Sequence, residues 1–389
     1  MTLHDVRAAL LAGGLGERMG HLTDTLCKPL VPYAASCRLV DFSVANAARS
    51  GVPEIVLLSL HRERDLIDHL RAHWDGRGVR INYGPHDHLI RSGALAPGEP
   101  LPPRPPEAGT ADALLTNADH VFAPGARDIL IQHADHVYVH DYGPMVAAHR
   151  TAGADATIGV QRIERRFVHL FGMVDVDPDL RVRRLVEKPA EPTSDLVFTA
   201  FCLFRADVLH DVLHSLAALG QDRWQHDISR DVLPLMIREG RHVQAYPITG
   251  YWADIGTVER YHLEQLKLLD RPFPLPPDTL PRTLTDAPPR HLDGPRSLAG
   301  ADVTVPPGAV IRSSVLFPGC VIEPGAEVNR SLILPGATVR AGARLDGTIA
   351  ATGEDITGTR TGLAGLTPTR AAGPPDPTTA AREPRHPQP

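Results

Sequence analysis

The chain has 389 residues, of which 42% are hydrophobic and 22% charged, and it carries a formal net charge of -6. This length favours two domains, and the composition is that of an ordinary soluble globular protein with a sizeable core. The negative charge offers no basic field to a nucleic acid, so that class of partner is not expected.

The four cysteines form no C-x-x-C pair and no metal-ligand spacing, which favours reduced thiols over a disulfide framework. The amino end lacks a basic segment followed by a long apolar stretch, and no apolar run reaches the length of a membrane span. We therefore expect a cytoplasmic protein without a membrane partner.

Short apolar runs alternate with helical patterns through about the first 270 residues. Val6–Leu11 and residues 54–60 read as buried strands, and a helix is expected between them from Asp41 to a stop at Gly51. The segments "DILIQHADH", "ATIGV" and "RHVQAYPI" continue the series of strands. This alternation predicts an α/β fold with a mainly parallel, Rossmann-like sheet, whose ligands lie at the carboxyl ends of the strands.

Two proline-rich stretches interrupt this pattern. Residues 93–109, "GALAPGEPLPPRPPEAG", cannot form a helix or a central strand, which predicts a mobile surface loop. Residues 271–297 are equally rich in proline, which predicts an extended linker between domains. The linker sets the expected domain bounds at 1–270, 271–297 and 298–358, with a disordered tail at 359–389.

Behind the linker, aliphatic residues recur every six positions, with Glu327 as the one polar interruption. Glycines and prolines punctuate this repeat at regular intervals. The period favours a left-handed β-helix over an antiparallel β domain with regular turns, because stacked coils bury one aliphatic residue per hexad. The residues expected to point inward are Val303, Ala309, Val315, Val321, Ile333, Val339 and Leu345.

The segment "LAGGLGERMGHLTDTLCKPLVP" follows the first strand. A dinucleotide fold would need G-x-G-x-x-G and an acidic residue at the end of the next strand, and neither is present. A P-loop is excluded because His21 follows Gly20. A loop that holds a triphosphate with Arg18 and Lys28 remains, and an ordinary turn with incidental charges fits equally well.

The same segment resembles the signature of the sugar-nucleotide pyrophosphorylases, and more narrowly that of bacterial ADP-glucose pyrophosphorylases. The segments "RLVDFSVANAARSG", "GTADAL", "ADHVYVHDY", "VEKP", "HDISRDVLP" and "YWADIGT" follow in the family's order. The resemblance covers residues 5 to 350. It implies that the chain joins ATP and glucose 1-phosphate into ADP-glucose for glycogen synthesis, with release of pyrophosphate and dependence on Mg²⁺.

The resemblance also assigns roles to single residues. Arg18, Lys28 and Asp135 match the catalytic positions, and Asp135 with Asp254 matches the metal-binding pair. The positions that match the nucleotide site are Leu11, Gly13, Gly14, Gly16, Gly109, Thr110 and Asp112. The positions that match the sugar-phosphate site are Glu187, Lys188, Asp227 and Trp252, although Trp252 reads equally well as core packing. The family and the open ends of a β-helix imply a homo-oligomer, most simply a tetramer.

The sequence departs from the family on the substrate side. Phe198 and Cys202 stand where the family has a serine and a tyrosine, and Ile228 replaces a phenylalanine. The glutamine-bearing segment that reads the base is replaced by "YGPHDHL" and the proline-rich loop. Two alternatives follow: a pyrophosphorylase for another pair of nucleoside triphosphate and sugar 1-phosphate, or a catalytically weakened regulatory paralogue.

Overall fold

The structure is a computed structural model that describes residues 3–366 except residues 271, 276, 293–295 and 365. The expected disordered tail therefore lies, from residue 367 onward, outside the described residues. The α-helices of the described part are α1 (Leu39–Arg49), α2 (Glu63–Trp74), α3 (Asp87–Arg91), α4 (Thr110–Thr116), α5 (Ala118–Val121), α6 (Tyr142–Ala152), α7 (Ala206–Ala217), α8 (Leu233–Arg238) and α9 (Val258–Lys267). Within that part, no helix combines the length and the apolar composition needed to cross a membrane.

The first portion of the chain contains strands separated by these helices. These strands are β1 (Val6–Leu11), β2 (Pro32–Tyr33), β3 (Cys37–Arg38), β4 (Glu54–Leu58), β5 (Arg80–Asn82), β6 (Asp128–His133), β7 (His136–Tyr138), β8 (Ala156–Arg162), β9 (Gly172–Val176), β10 (Val182–Glu187), β11 (Leu196–Arg205), β12 (Val243–Pro247) and β13 (Trp252–Asp254). Short 3-10 helices at Glu17–Thr23 and Lys28–Leu30 and a π-helix at Ile228–Val232 complete the parts that matter for the site.

The main sheet has the order β10-β9-β11-β6-β1-β4-β5, with β8 beside β11 and β12 beside β8. Strands β6, β1, β4 and β5 are parallel, and β11 joins β6 in the antiparallel sense. The side chains of β1 alternate between the two faces, so that Ala8 and Leu10 belong to one apolar cluster and Ala9 and Leu11 to another. The expected α/β fold is confirmed.

The register of the parallel strands determines where the loops meet. Leu11, the last residue of β1, lies opposite Leu58 of β4 on one side and His133 of β6 on the other. The glycine loop after β1 and Asp135 after β6 therefore leave the sheet at the same edge. A separate ribbon pairs β13 with β7 so that Asp254 lies opposite His136. This pairing brings the two predicted metal-binding aspartates together.

The second portion folds into stacked parallel coils with the arrangement of a left-handed β-helix, which confirms the expected repeat domain. Its strands are β14 (Arg290–His291), β15 (Leu298–Ala299), β16 (Val310–Arg312), β17 (Val315–Leu316), β18 (Val321–Ile322), β19 (Glu327–Asn329), β20 (Leu332–Ile333), β21 (Thr338–Val339), β22 (Arg344–Asp346), β23 (Ile349–Ala350), β24 (Asp355–Ile356) and β25 (Thr359–Thr361). Strand β14 lies inside the expected linker, and β25 lies past the expected domain end at 358.

The coils repeat every 17 residues, as the hydrogen bonds from Ser331 to Ser314 and from Thr348 to Ser331 show. A coil of 17 residues is one residue shorter than three hexads. A strict six-residue period, counted along the sequence, therefore shifts by one position relative to the coil interior at each coil. The expectation that Val315 and Val321 point inward is wrong: the side chains in the coil interior are those of Leu316 and Ile322. Val321 is 49% exposed, whereas Val315 is buried against the first domain.

The segment between the domains is packed rather than free. The Thr283 hydroxyl donates to Asp41 Oδ2 at 2.5 Å, and the Thr283 and Leu284 amides donate to the carbonyl of Ser36 at 3.0 and 2.9 Å. A shared apolar cluster continues from Tyr261 of α9 to Phe317 of the β-helix. The two domains therefore pack against each other. The segment expected to be an extended linker is hydrogen-bonded to the surface of the first domain.

Candidate active site

Two adjoining cavities open at the carboxyl ends of the parallel strands. The larger has a volume of about 420 Å³ and is bordered by the glycine loop, the ends of β1 and β4, and the start of α4. The smaller, of about 190 Å³, lies between β7, β10, β11 and β13. Thr110 and His133 border both cavities. Two ligands that each occupy one cavity would therefore meet beside these residues.

The glycine loop forms one wall of the larger cavity. Leu11, Gly13 and Gly14, three of the residues predicted to bind the nucleotide, border the cavity. Gly16 does not border it but has a φ of +73°, and a Cβ there would lie 3.1 Å from Lys28 Cβ. A side chain at Gly16 would therefore be strained and would push Lys28 out of position.

Lys28, Asp135, His136 and Asp254 form a connected group between the cavities. Lys28 Nζ donates a hydrogen bond to Asp135 Oδ2. His136 Nε2 lies 3.8 Å from Asp135 Oδ1 and 3.8 Å from Asp254 Oδ1, so the imidazole stands between the two carboxylates. The structure thus brings together the three charged residues that the sequence singled out, and it adds a histidine to them.

Burial would raise the pKa of Asp135, but Lys28 and the neighbouring histidines outweigh it and hold this pKa well below its usual range. Burial, together with the adjacent His136, lowers the pKa of His133 to about 4. Near pH 7 the Asp135 carboxylate is therefore ionised and the His133 imidazole is neutral.

The donor set fits a divalent cation. Oxygen atoms of two carboxylates, Asp135 and Asp254, flank one imidazole nitrogen, and the ligand atoms of His133, Asp135 and His136 all lie within 4.8 Å of one another. Carboxylate oxygens suit Mg²⁺ and Mn²⁺, and imidazole nitrogen suits transition metals. Asp135 belongs to this cluster and Asp254 lies beside it, so the predicted pair of Asp135 and Asp254 would be within reach of one cation and stays a prediction.

Arg18 approaches the same group from the far side. Arg18 lies in the 3-10 helix after the glycine loop. Its Nη2 lies 3.5 Å from the position that a Cβ atom would take at Gly256, two residues beyond Asp254. Arg18 is exposed and borders neither cavity. The role of Arg18 in holding phosphates therefore stays a prediction from the sequence.

The "GTADA" segment starts α4 beside the larger cavity. Gly109 has no room for a side chain, because a Cβ there would collide with the carbonyl oxygen of His226. Thr110 accepts a hydrogen bond from the Ile228 amide at 2.9 Å and donates to Asp227 Oδ2 at 3.3 Å. Asp112 does not border the cavity; its carboxylate accepts from the Ala108 amide at 2.8 Å and so stabilises the loop.

The predicted sugar-phosphate residues all border the smaller cavity. Lys188 is half exposed, with its Nζ 3.6 Å from Glu187 Oε1, and its backbone has a φ of +48°, a strained value for a residue with a side chain. Trp252 packs against Phe171 and His136, and its indole Nε1 is buried without a partner in the described residues. Asp227 caps the π-helix by accepting from the Ser229 and Arg230 amides.

The three departures from the family gather in this smaller cavity. Phe198, Cys202 and Ile228 all border it and are buried. Phe198 and Cys202 flank an irregularity in β11, where the pairing with β8 shifts register. Part of the wall is therefore apolar, and it offers fewer hydrogen bonds to ligand hydroxyls than serine and tyrosine would.

The sequence analysis assigned no role to three residues in and near the site: His133, His136 and Arg104. His133 and His136 flank Asp135, and the cluster "HADH" in the sequence is the signal that could have indicated them. In the proline-rich loop, the side chain of Arg104 is buried and donates to the Ser59 carbonyl and to Asn117 Oδ1. No local pattern in the loop distinguished this arginine from an exposed one.

This arrangement defines a nucleotidyltransferase site. The nucleotidyl transferase family profile matches residues 7–271, and the chain belongs to this family. A GlmU-like C-terminal hexapeptide profile matches residues 283–363.

Among curated relatives, a valienol-1-phosphate guanylyltransferase of Streptomyces hygroscopicus subsp. limoneus is 48% identical over 82% of this chain and 87% of its own length. A glucose-1-phosphate adenylyltransferase of Thermomicrobium roseum is 34% identical over 82% of this chain and 71% of its own length. The glucose-1-phosphate adenylyltransferase 2 of Alkalilimnicola ehrlichii is 33% identical over 81% and 78%. The expected resemblance to the adenylyltransferases is thus confirmed, but the adenylyl and glucose assignments are not.

Proposed function

We propose that this protein transfers a guanylyl group from GTP to the 1-phosphate of a carbocyclic polyol of the valienol type, with release of pyrophosphate. The observation that carries the reaction type is the meeting of two cavities at Lys28, Asp135 and Asp254. The choice of substrates rests on the guanylyltransferase relative, which is 48% identical, compared with 34% for an adenylyltransferase.

In this proposal the nucleotide occupies the larger cavity. Backbone amides of the glycine loop approach the phosphates at Gly13 and Gly14, which keep that wall free of side chains. Lys28 transfers its ammonium contact from Asp135 to the α-phosphate, and Arg18 holds the departing pyrophosphate. A divalent cation held by Asp135 and Asp254, Mg²⁺ being the expected one, would neutralise charge on the phosphates.

The acceptor occupies the smaller cavity. Lys188 binds its phosphate and Glu187 accepts hydrogen bonds from its hydroxyl groups, both from the rim of the cavity. An oxygen of this phosphate then attacks the α-phosphorus in line, and the bond to pyrophosphate breaks. Because no protein group forms a covalent bond, the residues act by positioning and by neutralising charge.

The apolar wall supports a carbocyclic acceptor over glucose. Phe198, Cys202 and Ile228 would leave nearby hydroxyl groups of either acceptor without partners, at a cost of about 1–3 kcal/mol for each group, so the discrimination rests on the ring itself. A ring without an endocyclic oxygen presents one hydrogen-bond acceptor fewer to this wall.

A pyrophosphate-release screen tests the proposal. GTP and ATP are each combined with valienol 1-phosphate, glucose 1-phosphate and mannose 1-phosphate, in the presence of Mg²⁺. We expect the highest kcat/KM for GTP with valienol 1-phosphate. If ATP with glucose 1-phosphate gives the highest kcat/KM, the proposal is wrong and the protein synthesises ADP-glucose, as the sequence resemblance implied. If no pair reacts, the alternative of a regulatory paralogue replaces the proposal.

A further inference from the structure

The larger cavity is bordered by residues of different character. At one end, Lys28 and Asp135 provide charge for phosphates. Leu58 and Leu60 also border the cavity, and Arg104 connects this stretch to Glu107: it donates to the carbonyl of Ser59, between the two leucines, and its Nη1 lies 3.2 Å from Glu107 Oε1. Among the described residues that border the cavity, Glu107 is the charged residue outside the phosphate end.

The Glu107 carboxylate is held in one orientation. Its Oε1 accepts a hydrogen bond from Asn117 Nδ2 at 2.9 Å and lies 3.2 Å from Arg104 Nη1. Its side chain is only 5% exposed. No hydrogen bond to the second oxygen, Oε2, is formed within the part of the chain that the structure describes.

The charges around Glu107 leave this carboxylate incompletely paired. Arg104 is shared, because its Nε also lies 3.4 Å from Oε2 of Glu63, which is equally buried. Arg104 further donates to the carbonyl of Ser59, at the end of β4. Burial raises the pKa of Glu63 to about 7, so Glu63 competes with Glu107 for Arg104 only in part. A hydrogen-bond donor from a ligand at Glu107 Oε2 would complete the hydrogen bonds of the Glu107 carboxylate.

We propose that Glu107 is the residue that selects guanine over adenine, an inference that rests on the nucleotidyl-transfer function proposed above. A carboxylate only accepts hydrogen bonds. On its Watson–Crick edge guanine offers two neighbouring donors, N1–H and the N2 amino group, whereas adenine has an unprotonated N1 in the same place. Glu107 accepts from the guanine donors and repels the lone pair of adenine N1. Arg104 and Asn117 are positioning residues for this carboxylate.

The test measures binding of GTP, ITP and ATP by calorimetry with Mg²⁺ and without an acceptor phosphate. ITP retains N1–H but lacks the N2 amino group. We expect wild-type protein to bind GTP at least about tenfold more tightly than ITP, and ITP more tightly than ATP. In Glu107→Gln the preference for GTP over ITP should fall towards unity. Glu99→Gln, an exposed change in the same loop, should retain the wild-type preference.

Equal binding of GTP and ITP by the wild-type protein would overturn the inference, and so would an unchanged preference in a folded Glu107→Gln variant. The wild-type series needs no variant, so equal binding of GTP and ITP overturns the inference even if Glu107→Gln does not fold. Because binding is measured without turnover, a protein that shows this series but releases no pyrophosphate would contradict the proposed function and leave the role of Glu107 intact.

Discussion

Lys28 donates a hydrogen bond to Asp135 although the two residues are 107 positions apart in the chain. The ammonium neutralises a partly buried carboxylate, which otherwise faces two histidines and Asp254. In the proposed mechanism the same ammonium contacts a phosphate at the glycine loop. The contact between Lys28 and Asp135 would then be exchanged when a triphosphate binds.

Asp135→Asn and Asp254→Asn should each lower kcat by about 10²–10³-fold while changing the Kd for nucleotide much less. Both carboxylates hold charge that matters most when charge builds up in the transition state. Steady-state kinetics and calorimetry on the same preparations measure the two effects. The exposed change Asp222→Asn serves as the control. An equal loss of nucleotide binding and turnover would show that these residues act mainly in ground-state binding.

Lys188→Ala should chiefly raise KM for the acceptor phosphate, with a smaller loss of kcat, because Lys188 lies at the rim of the smaller cavity. Its left-handed backbone allows a second comparison: Lys188→Gly should unfold at higher denaturant concentration than Lys188→Ala, with the same kinetic defect. Arg183→Ala, which removes an exposed pair with Asp177, is the matched control. A change in the KM for GTP alone would place Lys188 on the nucleotide instead.

His133 should make the protein less stable as the pH falls from about 7 towards 4. Its pKa is lowered to about 4 in the folded state, whereas the ordinary value is 6.5. Between these pH values the unfolded chain binds a proton that the folded chain does not, so protonation favours unfolding. Urea unfolding over this range should show a steeper loss of stability for wild type than for His133→Gln. The exposed change His88→Gln should follow wild type, and parallel curves for His133→Gln and wild type would contradict the prediction.

Thr283→Val should destabilise the protein by about 1–3 kcal/mol, because the buried Asp41 carboxylate loses a hydrogen-bond donor. Urea denaturation of this variant and of the exposed control Thr304→Val measures the difference.

Proteolytic cleavage in residues 277–292 should leave the two fragments associated, because the apolar cluster crosses the domain boundary. Fragments that separate on gel filtration without denaturant would show that this cluster contributes little.

Light scattering at micromolar concentration should show a homo-oligomer, and a tetramer is the expected state. The open end of the last described coil exposes unpaired strand edges, which another copy of the chain would cover. A monomer under these conditions would contradict the prediction.

The sequence by itself determined the local elements, and it named many of the residues that border the two cavities. Val6–Leu11 is a strand with the expected bounds, and α1 lies where the helical pattern predicted, because short-range periodicity and a stop at Gly51 are local properties. Lys28, Asp135 and Asp254 could be named because each belongs to a contiguous motif. Their roles in binding and catalysis remain predictions.

Only the tertiary structure decided how these parts are oriented. The 17-residue coil placed Leu316 and Ile322 inside instead of Val315 and Val321, because stacking against the next coil sets the register. Asp112 became a loop-stabilising residue, and Arg104 became buried, through partners that no motif encodes. The pairing of β13 with β7 placed His136 between Asp135 and Asp254. Contacts across many intervening residues depend on how strands pair and helices dock, and the identity of the residues nearby in sequence does not contain that information.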